Sequence, residues 1–169
     1  MPQALYPQPP DGSFSYRPRA LVSQRPGHAA GIGAVSAEWA ALEEYLTLAM
    51  VRSLLAFSDE GAYSIASTTL ETIESPSTRL DVVAALLKIH APKADFEFFA
   101  NTLRPEIHKR AGERNRILQS IWYVDDRYPD HVITRLDGRY VKYSVHDITE
   151  VSDRIVTTAN SIREFVERF

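Results

Sequence analysis

Residues 36–57 read SAEWAALEEYLTLAMVRSLLAF, and the spacing of their apolar side chains decides the fold class. Trp39, Leu42, Leu46, Met50 and Leu54 recur at helical intervals, which lays them along one face of an α-helix. Ser36 carries a hydroxyl suited to an N-cap and Glu38 puts an acid in the first turn, so a helix is predicted over roughly 37–57. Leu48, Val51 and Leu55 widen the apolar stripe, as in a helix buried on more than one side.

Toward the C-terminus the same period continues. A second helix is predicted over about 60–73, turning Ile65, Ala66, Leu70 and Ile73 inward. Ser75 followed by Pro76 is a helix start, because proline lacks the N–H that a first helical residue leaves unpaired. That third helix is expected to stop near His90, ahead of Pro92. ADFEFFANTL, residues 94–103, reads as a short helix, and Pro105 opens a longer one over about 105–123. The period then changes to alternation in HVITRLDGRYVKYSV, residues 131–145, which Asp137-Gly138 bisects. Such a pair tolerates positive φ at both centres of a tight turn, so a hairpin of 131–136 with 139–144 is predicted. In the last segment Asp147 or Thr149 is the expected N-cap, with Asp147 and Glu150 forming a capping box. Val151, Ile155, Ala159, Ile162 and Val166 then share one face. The expected architecture is mainly α, an up-and-down helical bundle with one β-hairpin before its last helix.

Residues 1–34 hold six of the ten prolines and four of the seven glycines and are read as an N-terminal arm. Residues 35–169 are read as one helical domain, long enough to build its own core. The chain contains no Cys, which removes disulfide scaffolds, thiolate metal sites and thiol nucleophiles together. No apolar run approaches the ~20 residues of a membrane span, and the first residues lack the pattern of a signal peptide. A cytoplasmic protein with no membrane partner is therefore expected. The five histidines show no ligand spacing and GHAAGIGA, residues 27–34, lacks the Lys-Ser or Lys-Thr of a phosphate loop, so neither metal nor cofactor is expected.

Charge is unevenly placed. Residues 35–75 carry seven acids against the single base Arg52, whereas residues 104–145 carry nine bases against six acids. The hairpin interleaves Arg135, Arg139 and Lys142 with Tyr140 and Tyr143, a pattern that suits nucleic acid. The preferred reading is that these cations guard an exposed strand edge against pairing with another chain.

GERNRILQSIW, residues 112–122, holds the sharpest oddity. On a helical wheel of ~100° per residue, Arg114 falls among Ile107, Ile117, Leu118 and Ile121, with Trp122 toward one border. A guanidinium cannot shed its charge, so something acidic or something wet must face it. Glu43 or Glu44 would serve as an ion-pair partner in a purely structural helical protein. Asn115 and Gln119, one turn apart, flank the stripe together with His108, while Lys109, Arg110 and Arg116 are assigned to a solvated face.

ERNRILQSIW resembles a segment of HEPN-type helical proteins of prokaryotes, in which a late helix carries Arg, a polar residue such as Asn, and His after four intervening residues. Arg114 and Asn115 match, and Gln119 stands where the His is expected. The layout over about 36–169 is similar as well. The resemblance implies a homodimer in which Arg and His of two subunits converge on an RNA backbone as a metal-independent ribonuclease. Gln119 cannot exchange a proton near neutral pH, so the resemblance with a degenerate motif implies binding rather than cleavage. Arg114, Asn115, Gln119 and Trp122 are the candidate binding residues, with RNA or a protein as partner, in a setting such as bacterial defence, toxin–antitoxin or stress. The alternative is an active ribonuclease using Arg114 and Asn115 with a displaced base, His108 or His131 of a second subunit.

Overall fold

A computed structural model describes residues 2–4, 18–55 and 61–168. The chain is mainly helical, with an antiparallel hairpin directly before the final helix. In order it runs β1 (Gln3–Ala4), α1 (Pro18–Gln24), α2 (Pro26–Leu55), α3 (Ala62–Glu71), α4 (Pro76–His90) and α5 (Lys93–Phe98). A π-helical turn (Phe99–Leu103) leads into α6 (Arg104–Leu118), followed by β2 (His131–Leu136), β3 (Arg139–Ser144) and α7 (Val145–Arg168). It divides into two compact units, one of Met1–Ala37 with Glu113–Arg154, the other of Glu38–Gly112 with Ile155–Phe169.

The second unit is built as the apolar spacing dictates. Trp39, Leu42, Leu46 and Met50 of α2 are buried, as are Ile155, Ala159, Ile162 and Val166 of α7. Ser75 caps α4 as expected, its side chain accepting the Thr78 N–H, with Pro76 in the first turn. In α3 the buried face is Ala62, Ala66 and Leu70, which leaves Ile65 56% exposed and Ile73 beyond the helix end. The inward placement of Ile65 is thereby corrected. The π-helical turn, closed by the Arg104 N–H on the Phe99 carbonyl, precedes Pro105. In a regular helix the Pro105 ring would clash with the carbonyl four residues earlier, and the wider turn relieves that contact.

In the first unit the hairpin has the predicted register, His131 opposite Ser144 through Leu136 opposite Arg139. Asp137 (φ 49°) and Gly138 (φ 78°) occupy the left-handed region that the turn demands. One strand was not foreseen: β1 adds to β3, Gln3 pairing Lys142 and Ala4 pairing Val141, giving the order β1-β3-β2.

Two further expectations are corrected here. Residues 18–34, read as part of an arm, are largely helical, and α2 begins at Pro26 instead of near 37. Ser36 is thus interior to α2, not its cap. Of the glycines in this stretch, Gly31 has a packing reason, since a Cβ there would stand 3.1 Å from Ile148 Cγ2 of α7. The capping box of α7 also shifts, by three residues toward the N-terminus. Ser144 is the cap, its Oγ accepting the Asp147 N–H at 3.2 Å, while Asp147 Oδ2 accepts the Ser144 N–H at 2.9 Å. Burial pushes the Asp147 carboxyl up, but the hydrogen bonds it receives, those from Ser144 among them, hold it below the usual carboxylate range.

Candidate functional site

Arg114 and Asn115 lie in the part of α6 that belongs to the first unit, and both are half-buried. Arg114 Nη1 donates to Asn115 Oδ1 at 2.8 Å, which fixes the guanidinium against its neighbour's amide. The adjacent Glu113 accepts from Arg154 Nε of α7 at 3.3 Å, and Arg154 also pairs with Glu150 at 2.8 Å. Those contacts hold the start of this segment in place. The acids proposed as partners of Arg114 have other engagements: Glu43 pairs with Arg79 at 2.7 Å and Glu44 accepts the Tyr63 hydroxyl at 2.9 Å.

The end of α6 explains why the helix stops at Leu118 and not at 123. The final carbonyls of a helix lack backbone partners. Here Gln119 N–H reaches the Asn115 carbonyl at 2.9 Å, the Ser120 hydroxyl reaches that of Arg116, and Trp122 Nε1–H reaches that of Ile117 at 3.2 Å. The Trp122 ring also packs edge-on against Tyr143 with centroids 5.3 Å apart, and the residue is 7% exposed. Trp122 is accordingly a capping and packing residue. Ile121, expected on the buried stripe, is 54% exposed because it lies past the helix end.

Gln119 is exposed at the end of this helix. His108 is exposed as well and belongs to the second unit. Lys109 and Arg116 are solvated as predicted, but Arg110 is buried and pairs with Glu106 one turn earlier at 3.0 Å. The alkyl stem of an Arg packs readily while its head finds a carboxylate nearer the surface.

The residue that sequence reasoning missed is His28, in the first turn of α2 and only 3% exposed. Pro26 was the available signal, the same first-turn proline that located α4. Among the described residues Nε2 of His28 meets no hydrogen-bond partner. Burial, joined by the charges of Arg25 and His131, holds its pKa below the ordinary imidazole value, against the opposing pull of the Tyr143 and Asp130 carbonyls. A depressed histidine pKa favours the fold where the ring is neutral in both states. Its contribution is therefore complete above the unfolded value near ~6.5 and declines as pH falls from there toward the lower folded value. Thermal unfolding at pH 7.5 and 5.5 should show a lower midpoint at the acid value, and His28→Leu should narrow that difference. An unchanged difference would remove His28 as its source.

Among the described residues no three His, Asp or Glu side chains are placed to hold a metal ion, and no helix is long and apolar enough to cross a membrane. Comparison with known proteins finds no matching family model, no matching curated protein and no matching solved structure.

Proposed function

We propose that this chain is a non-catalytic, HEPN-like binding module that acts as a homodimer and holds RNA through Arg114 and Asn115. The observation that carries the proposal is the 2.8 Å hydrogen bond from Arg114 to Asn115 on two half-buried residues. An Arg held this way has its planar fork oriented before a phosphate arrives, which lowers the entropy lost on binding. The first unit carries ten bases against nine acids, counting Lys, Arg, Asp and Glu, whereas the second carries nine against thirteen. An anion is thus better received by the unit that contains Arg114. The exposed Gln119 offers an amide where acid–base chemistry would need an imidazole.

Labelled single-stranded RNA incubated with the protein should remain intact and be bound. Arg114→Ala should weaken that binding by about ten-fold or more, the size of a lost charge-assisted hydrogen bond. Cleavage by the native chain that disappears in Arg114→Ala would replace this reading with the ribonuclease. Absence of binding in both proteins would end the RNA reading, and a monomeric mass in solution at high concentration would end the dimer.

A further inference from the structure

Edge protection does not account for Lys142. Lys142 lies opposite Gln3 of β1, so its stretch of β3 is flanked by strands on both sides and has no edge to guard. Strand alternation places Ile133, Arg135, Tyr140 and Lys142 on one face of the sheet. Over Ile133 and Tyr140, which are buried, pack the half-buried rings of Tyr123 and Tyr128 from the preceding segment. Tyr123 is tied there by paired backbone hydrogen bonds with Ile133, at 2.7 and 2.9 Å. Above the rings stand cations: Lys142 Nζ lies 5.5 Å from the Tyr128 centroid, and the guanidinium of Arg135 lies 6.0 Å from that of Tyr140. Arg127, also 6.0 Å from the Tyr128 ring, has its charge taken by Asp125 at 2.6 Å.

We propose that this sheet face is a stacking platform for single-stranded RNA, with Tyr128 receiving a base and Lys142 and Arg135 receiving the adjoining phosphates. The proposal rests on the RNA-holding reading above and names a second point of attachment in the same unit. A base offers a π-face to a tyrosine whatever its sequence, and a planar guanidinium offers a further surface for stacking. Backbone hydrogen bonds hold both residues, Tyr123 with Ile133 and Tyr128 with Asp125 and His131, so little order is lost when a base arrives. Charge complementarity selects a polyanion, yet only a short stretch of one, because the exposed acids Asp126, Asp130 and Asp137 occupy the adjacent loop and turn. Stacking must then supply most of the affinity, and the dependence on salt must be shallow. Two cations engaging a single strand correspond to a slope of about −1.4 in log affinity against log salt.

The test measures anisotropy of a fluorescent oligouridine with the full chain over a salt series. Tyr128→Ala should weaken binding about ten-fold or more, Tyr128→Phe should restore it, and Arg135→Ala with Lys142→Ala should flatten the salt slope by about 1.4. The double variant changes groups at the surface of the sheet and keeps the proposal testable if Tyr128→Ala fails to fold. Sheet variants that bind like the native chain while Arg114→Ala binds poorly would overturn the platform and leave the Arg114 reading standing. The reverse pattern would keep the platform and overturn Arg114. No binding by the native chain overturns both, and equal affinity for a duplex of the same length overturns the platform, since paired bases cannot stack on Tyr128.

Discussion

Trp122→Ala should cost the protein about 3–5 kcal/mol of stability, the range for removing a buried aromatic side chain. Trp122 is 7% exposed, meets Tyr143 edge-on at 5.3 Å, and donates its indole N–H to the Ile117 carbonyl at 3.2 Å. Truncation therefore opens a cavity and also strips a cap from the last turn of α6. Trp122→Phe separates the two effects, because it keeps most of the volume and loses the donor. It should cost only about 0.5–1.5 kcal/mol, the net worth of one hydrogen bond, plus a minor packing change. Denaturant unfolding of the two variants measures both figures, and an Ala variant as stable as the native chain would show that the indole supports neither the helix end nor the sheet. RNA affinity of the folded Phe variant should equal that of the native chain, since the ring does not face solvent.

Phe165→Ala should be equally severe for the second unit, again about 3–5 kcal/mol. The side chain is fully buried and meets Phe98 and Phe99 at centroid distances of 6.1 and 5.9 Å. These rings join the end of α7 to the passage from α5 into the π-helical turn, so a void here loosens the junction of two segments distant in sequence. The midpoint of thermal unfolding should fall by roughly 6–20 °C for a chain of this size. Phe165→Leu, which fills more of the space, should lose distinctly less. A midpoint unmoved by Phe165→Ala would contradict the packing of the three rings.

Much of the fold was legible because each element states its own period. The hairpin register followed from Asp137-Gly138 alone, since a two-residue turn leaves the flanking strands no freedom to slip. The buried side of α7 followed from spacing, although Phe165 escaped the narrow stripe assigned to it. The start of α2 was misread for a physical reason. Gly27, Gly31 and Gly33 each lower helix propensity by about 1 kcal/mol relative to Ala, so the stretch reads as part of an arm. Only the 3.1 Å approach to Ile148 shows why a glycine at 31 is worth that cost.

The candidate site was legible in part for the same reason. That Arg114 interrupts an apolar stripe and that Gln119 stands in place of a proton-exchanging residue are properties of identity and spacing, and both are present in the sequence by itself. So are the helical class, the cap of α4 and the hairpin. What the tertiary structure decided is who stands against whom: that Trp122 packs on Tyr143, that His28 is buried, and that β1 covers the strand carrying Lys142. Periodicity is set by bonds between near neighbours, so it survives in a one-dimensional reading. Burial and the pairing of a strand depend on residues far along the chain, and no local pattern encodes which of them will arrive.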